Sequence, residues 1–285
     1  MNQVAIVTGA SRGAGAGIAA ALGEAGFVVY VTGRTRAGDA HELGGSVEST
    51  AAEVTRRGGR GVAVVCDHGR LDDVEALVEQ VRREQGGLDL LVNNALAIDA
   101  ELLDPRPFWE KSLDQQRMLD VGLRSTYVMT HRAAPLLLAR AAAGPLVVNT
   151  SGFGGSCYMH GPVYGAVKAG VDKLAHDMAV DFAPYGVTAV SIWMGLLRTE
   201  RTERVLATEP EKYGGSRRIT ESPEFTGRVI AALHGDPERH TRSGRVLIGA
   251  EEGARLGVLD IDGTVPRSRR DILAEPPAFS DVVVR

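Results

Sequence analysis

The chain has 285 residues, 44 % of them apolar, and a net charge of −4 at neutral pH. That is enough apolar material for one large core, and the slightly acidic balance gives no support to nucleic-acid or anionic-membrane binding. Two cysteines, Cys66 and Cys157, are too few for a disulfide framework or a zinc site, so no metal is expected and the expected setting is a reducing cytoplasm. The apolar run around Ala133–Ala143 is interrupted by Arg140 and too short to span a bilayer, and the opening MNQVAIVTGA contains no basic, cleavable leader.

Apolar runs and helical stretches alternate along the chain, the pattern of an α/β parallel sheet covered by helices on both faces. Val4 to Val7 reads as a buried first strand. It runs into TGASRGAGAGIAAALGEAG, a glycine-rich turn and an alanine-rich helix stopped at Gly26. Phe27 to Thr32 is a second strand, followed by a long polar loop, GRTRAGDAHELGG, and a helix from about Ser46 to Arg57. Gly61–Val65 is the third strand, Leu71–Glu84 an amphipathic helix and Leu88–Val92 the fourth strand. One long helical region is predicted over Ser112–Arg140, kinked or split by Pro135. Leu146–Asn149 is the fifth strand, and a helix carrying Tyr164 ends before Pro184. Val187–Trp193 is the sixth strand and Arg245–Ile248 the seventh. Between these two lie a charged segment, TERTERVLATEPEKYGGSRRIT, read as a solvated helix face, and a helix near Pro223–Leu233. The tail after Gly263, rich in proline and arginine, is expected to be loosely ordered or to pack on a neighbouring subunit. No linker or repeat divides the chain, which reads as one domain, 1–285.

Five groups of residues carry chemistry. In SGFGGSCYMHGPVYGAVK, Ser151 is followed thirteen residues later by Tyr164 and, four further on, by Lys168. On a helix, Tyr164 and Lys168 share a face, and an ammonium beside a phenol favours the phenolate, lowering the phenol from its usual value near 10. Such a tyrosine exchanges a proton with a carbonyl or alcohol oxygen, which Ser151 also hydrogen-bonds. The first turn, Gly9–Gly15 (with Ser11, Arg12, Gly13 and Ala14), has glycines where a backbone must approach a pyrophosphate at a helix N-terminus. A purely structural tight turn is its rival reading. At the end of the second strand, Gly33 and Arg34 stand where an NAD site offers a carboxylate. Two guanidiniums, Arg12 and Arg34, suit a 2′-phosphate and favour NADP(H) over NAD(H), although two solvated arginines would look the same. Asp67, ending VVCD, either meets an adenine amino group or caps the helix near Leu71. Asn94 and Ala95, in NNA after the fourth strand, line the cofactor or make an ordinary turn.

Taken together, TGASRGAG, VVCD, LVNNA and Ser151 in register with YGAVK resemble the short-chain dehydrogenase/reductase family from Val4 to about Ala250. VYVTGRT, REQGGLDLLVNNA, PFWE, VGLRSTY, SGRVL and DIDG narrow the resemblance to one subgroup. The resemblance implies a Rossmann-type, doubly wound sheet of about seven strands. It also implies catalysis by Ser151, Tyr164 and Lys168, with Tyr164 protonating the carbonyl oxygen and Lys168 on the nicotinamide ribose. By the same resemblance Leu197 offers its backbone to the carboxamide, and Thr199 contacts the carboxamide or the pyrophosphate. Homodimers or homotetramers through the long fourth helix and the Tyr164 helix are implied as well.

Three positions depart from the family pattern. Gly122, in VGLRS, replaces the common asparagine, leaving its proton relay in question. Met194-Gly195 replaces proline-glycine after the sixth strand, so the loop is expected to be less fixed. Leu96 replaces the glycine after NNA, narrowing the site or giving it an apolar wall. The candidates near the reacting centre are Leu96, Phe153, Cys157, Tyr158, Met159, His160, Met194 and Leu196, which suggest a small hydrophobic carbonyl or alcohol substrate. The expected function is reversible NADPH-dependent carbonyl reduction. The alternative is an NADP-binding sensor or scaffold whose chemistry has lapsed, supported by Gly122 and Met194.

Overall fold

The computed structural model describes residues 2–39, 41–208 and 219–285. In chain order the elements are β1 (Val4–Val7), α1 (Gly13–Glu24), β2 (Val28–Gly33), α2 (Val47–Arg56), β3 (Arg60–Val65), α3 (Leu71–Gln85), β4 (Leu90–Asn93) and α4 (Ser125–Leu138). They continue with β5 (Leu146–Ser151), α5 (Pro162–Phe182), β6 (Thr188–Trp193), β7 (Leu196–Leu197), α6 (Glu200–Thr208), β8 (Thr220–Glu221), α7 (Pro223–Gly235), β9 (Val246–Ile248) and α8 (Gly249–Leu256).

Seven strands form one parallel sheet in the order β3-β2-β1-β4-β5-β6-β9. Its residues alternate between two apolar layers, as a sheet buried on both faces requires. Ala5, Val7, Val29 and Val31 pack under Ile18, Leu22, Val54 and Ile230. Val4, Ile6, Val28 and Tyr30 face Val74, Leu77, Met129 and Ala133 on the other side. Strand order reverses between β1 and β4, and at such a switch point a crevice opens beyond the carboxyl ends of the strands.

The single helix expected over Ser112–Arg140 is not formed. Short 3-10 turns occupy Phe108–Glu110 and Leu113–Gln116, and the segment Leu119–Arg124 is interrupted by non-helical backbone at Val121 and Gly122 before α4 begins at Ser125. Pro135 does not split α4: it sits in the last turns, which end at Leu138. The charged segment forms helix α6 as far as Thr208, and its residues 209–218 lie outside those described. The helix α8 and the two-stranded pairing of β7 with β8 are additions to the elements expected. The segment after Gly263 runs over its own chain, with Arg270 bonded to Glu251 at 2.6 Å and the Phe279 ring 5.0 Å from that of His176. Among the described residues no helix is long and apolar enough to cross a membrane.

Candidate active site

One crevice of about 530 Å³ lies at the β1/β4 switch point. Gly9, Ser11, Arg12, Gly13, Ala14, Gly15, Arg34 and Asp67 line one end of it; Asn94, Ala95, Tyr164, Lys168, Leu197 and Thr199 line the rest. The chain thus brings nearly every site residue expected from the sequence to one place. The exception is Ser151, which is buried at the end of β5 with its Oγ donating to the Lys168 carbonyl at 3.2 Å.

At the glycine-rich turn a side chain is excluded by contact. A Cβ on Gly15 would lie 2.4 Å from the Gly9 carbonyl oxygen, and one on Gly9, where φ is +65°, would lie 2.8 Å from Ala95 Cα. Helix α1 starts there without a side-chain cap and with no acidic residue in its first turn. The Gly13 amide donates to the Glu200 carboxylate at 3.1 Å, so this helix end already takes an anionic oxygen. The turn therefore fits a pyrophosphate. Asn94 ties the floor together, its Nδ2 donating to the carbonyls of Thr8 and Gly9, while Thr8 Oγ1 accepts from the amides of Asn94 and Ala95.

Arg12 and Arg34 differ in how they are held. The Arg12 guanidinium donates to the carbonyls of Gly44 and Gly45 and to Thr35 Oγ1, so it shapes the loop after β2. Arg34 is largely exposed and stands 4.0 Å from Asp67. Asp67 does not cap α3, whose N-cap is Arg70; its Oδ1 instead accepts from the Gly69 amide at 2.9 Å. His68, which sequence reading passed over, also lines the crevice. It is buried with Nε2 2.8 Å from Thr32 Oγ1, and burial pushes its imidazole down to about 4. An alternating apolar strand end gives no signal for such a residue.

Helix α5 begins at Pro162, so Tyr164 and Lys168 project one turn apart. The Lys168 ammonium lies 5.6 Å from the centre of the Tyr164 ring and donates to the Thr150 carbonyl at 3.3 Å. A Cβ on Gly152, the residue after Ser151, would be 3.8 Å from the Tyr164 hydroxyl oxygen. The expected lowering of the Tyr164 phenol is not found. Burial, with a smaller contribution from Cys157, pushes it up to about 12, and burial likewise pushes Lys168 down to about 8. Desolvation disfavours both charged forms, and neither group adds to the other's shift. The ammonium sits against the ring and the Thr150 carbonyl, while the charge it would stabilise is on the hydroxyl.

The departures from the family pattern come with local partners. A Cβ on Gly122 would lie 2.8 Å from Leu96 Cδ1 and 3.1 Å from Val167 Cγ1. Leu96 thus fills the space that a side chain at position 122 would need, and two departures are one exchange of volume. The Met194 loop is held rather than loose. Met194 N donates to the Ser151 carbonyl at 3.2 Å, and Gly195 N donates to the Glu221 carboxylate at 2.9 Å. Glu221 is buried, and burial pushes its carboxyl up to about 7. The apolar candidates separate. Leu96, His160 and Met194 line the crevice. Cys157, Tyr158 and Met159 line a different depression over α5, Phe153 packs on Trp193, and Leu196 is exposed outside the crevice. Chain connectivity alone does not say which way the loop after β5 turns.

Residues 3–210 match the short chain dehydrogenase family. The chain is 40 % identical to mouse "Dehydrogenase/reductase SDR family member 1" over 273 residues, covering 92 % of this chain and 84 % of that protein. It is 29 % identical to a 3-oxoacyl-[acyl-carrier-protein] reductase of Synechocystis, covering 82 % of this chain and 90 % of that one. Among solved structures, a short-chain type dehydrogenase/reductase from Mycobacterium marinum is similar at a TM-score of 0.72 and 25 % identity, over 86 % of this chain and 93 % of that one.

Proposed function

Because the chain belongs to the short-chain dehydrogenase/reductase family of oxidoreductases, which use a nicotinamide dinucleotide, we propose that it reduces a small apolar ketone or aldehyde to the alcohol with NADPH. One observation carries this reading. Tyr164 and Lys168 open onto the same crevice as the glycine-rich turn, so a proton donor and a dinucleotide site share one space. When bound, the cofactor supplies the hydride. Tyr164, its phenol kept neutral by burial, gives a proton to the carbonyl oxygen as charge develops there. Lys168 holds its ammonium beside the phenol, where it stabilises the phenolate left behind. Ser151 would orient the substrate oxygen once its hydroxyl turns from the Lys168 carbonyl toward the crevice, and Leu96 and Met194 exclude water from an apolar substrate.

The preference for NADP(H) rests on the positive charge around the loop after β2. His41 is pushed down by burial and then by Arg12, against Glu42, with smaller pushes from Arg201 and Arg34; these three arginines line the same crevice, where a 2′-phosphate would add its negative charge. A homo-oligomer through α4 and α5 is supported by exposed Tyr127 and by the small exposed residues Ala166 and Ala169 on α5. Both cysteines are free thiols, in keeping with a cytoplasmic enzyme. The lapsed sensor loses its support, since Gly122 and Met194 each have a compensating neighbour. A panel of aldehydes and ketones, assayed with NADPH and NADH by the absorbance of the reduced nicotinamide, tests the reading. Turnover with NADPH preferred is expected; tight NADPH binding with no turnover across the panel would favour the sensor.

A further inference from the structure

Asp172 follows Lys168 by one turn of α5 and is fully buried. Nothing in the proposed chemistry uses it, yet it is placed at the junction of three elements that build the site. Its Oδ1 accepts from Ser191 Oγ at 2.5 Å and its Oδ2 from Trp193 Nε1 at 2.9 Å, both on β6. The Ser151 side chain, its hydroxyl proton on the Lys168 carbonyl, is near enough to favour the charged form of the same carboxylate. The turn after Ser151 is pressed against it, since a Cβ on Gly155 would lie 2.7 Å from Asp172 Oδ2. Trp193 is itself fully buried, and the next residue, Met194, starts the loop that lines the crevice.

A buried ammonium is costly unless a buried opposite charge accompanies it. The titratable groups near Lys168 are Tyr164 on its own helix, with Cys157 acting on Tyr164 and His160 edge-on to its ring, and Asp172. Of these, Asp172, buried one turn further along the same helix and not in direct contact with the ammonium, is the one that favours its charged form. The carboxylate in turn is pushed up by burial and brought down by Ser191, Trp193, Ser151 and Lys168. We propose that Asp172 is a positioning residue of the reaction. Its buried carboxylate is the counter-charge that keeps Lys168 an ammonium, and it anchors Ser191 and the Trp193–Met194 corner of β6 to α5. The inference rests on the reductase reading for its consequence in turnover, but the charge relation stands without it.

The chain has four lysines, so the Lys168 side-chain resonance can be followed by carbon NMR of labelled lysine and identified by its loss in Lys168→Met. In Asp172→Asn the Lys168 titration midpoint should fall by about one unit or more below the parent's, with the folded spectrum retained. The alkaline limb of the kcat/KM profile for reduction should move down in pH with it. An unchanged Lys168 midpoint in folded Asp172→Asn would overturn the proposal, whether or not any carbonyl is turned over. Should that variant fail to fold, Trp193→Phe keeps the charge and an aromatic ring while removing the indole donor and part of the ring's volume. Its kcat should fall about tenfold with the KM for NADPH unchanged, and a parental kcat would overturn the anchoring role. Absence of turnover in the parent itself would count against the reductase reading alone, leaving the NMR titration to decide on Asp172.

Discussion

A phenol buried beside an ammonium is drawn in opposite directions, and at Tyr164 burial prevails. The consequence is directional. A neutral phenol donates a proton and so serves carbonyl reduction at neutral pH, whereas alcohol oxidation needs the phenolate. The oxidation rate should therefore rise with pH through the alkaline range toward a midpoint near 12, while reduction stays flat until Lys168, near 8, loses its charge. Initial rates in both directions across that range check this. A flat oxidation profile would remove proton transfer by Tyr164 from the slow step. For the proposed preference for NADP(H), Arg34 is the residue to test, being exposed and poorly paired at 4.0 Å from Asp67, whereas Arg12 is engaged by its own loop. Arg34→Ala should raise the KM for NADPH about tenfold or more and leave that for NADH within about twofold, because one charge-assisted phosphate contact is worth roughly 1.5–3 kcal/mol. Equal changes for both cofactors would contradict the phosphate assignment.

The elements around the site show how a departure at one position is absorbed at another. Leu96, after β4, occupies the room beside Gly122, so Gly122→Asn alone is overpacked and should cost about 1–3 kcal/mol. Adding Leu96→Gly should restore at least half of the loss in a denaturant titration. Simple additivity of the two changes would mean that they do not share a space. The strand β8 brings Glu221 under the Gly195 amide, where a proline would otherwise stiffen the preceding residue. Its carboxyl, raised from about 4.5 to about 7, binds a proton in the folded chain that the unfolded chain has released. Folding stability from this group is therefore present below about pH 4.5 and lost as pH rises through about 7. Thermal melts from pH 5 to 8 should fall less steeply for Glu221→Gln than for the parent, and parallel curves would contradict the assignment.

Across the whole molecule, what sequence reading recovers depends on how local the determinant is. The seven sheet strands are continuous apolar runs bounded by glycine and polar turns, and each strand expected is present within a few residues. The crevice follows from that order, which is why residues as distant as Gly9, Asp67, Tyr164 and Thr199 could be assigned to one place before any coordinates. Helical periodicity misleads over 112–124, because apolar spacing there is satisfied by short turns and a break at Gly122. Glu221 and Asp172 are invisible for a related reason. A charge in a strand end or a helix reads as surface, and only the fold buries it against Gly195, Ser191 and Trp193. The phenol shift was misjudged because spacing reports proximity and says nothing of desolvation.

The central claim is that Tyr164 passes the proton as hydride leaves the cofactor. The most direct measurement is single-turnover oxidation of bound NADPH by a carbonyl substrate in Tyr164→Phe against the parent, alongside NADPH affinity by fluorescence. We expect affinity within about threefold and a chemical step slower by roughly 10²–10⁴. A parental rate with the hydroxyl removed would contradict the account.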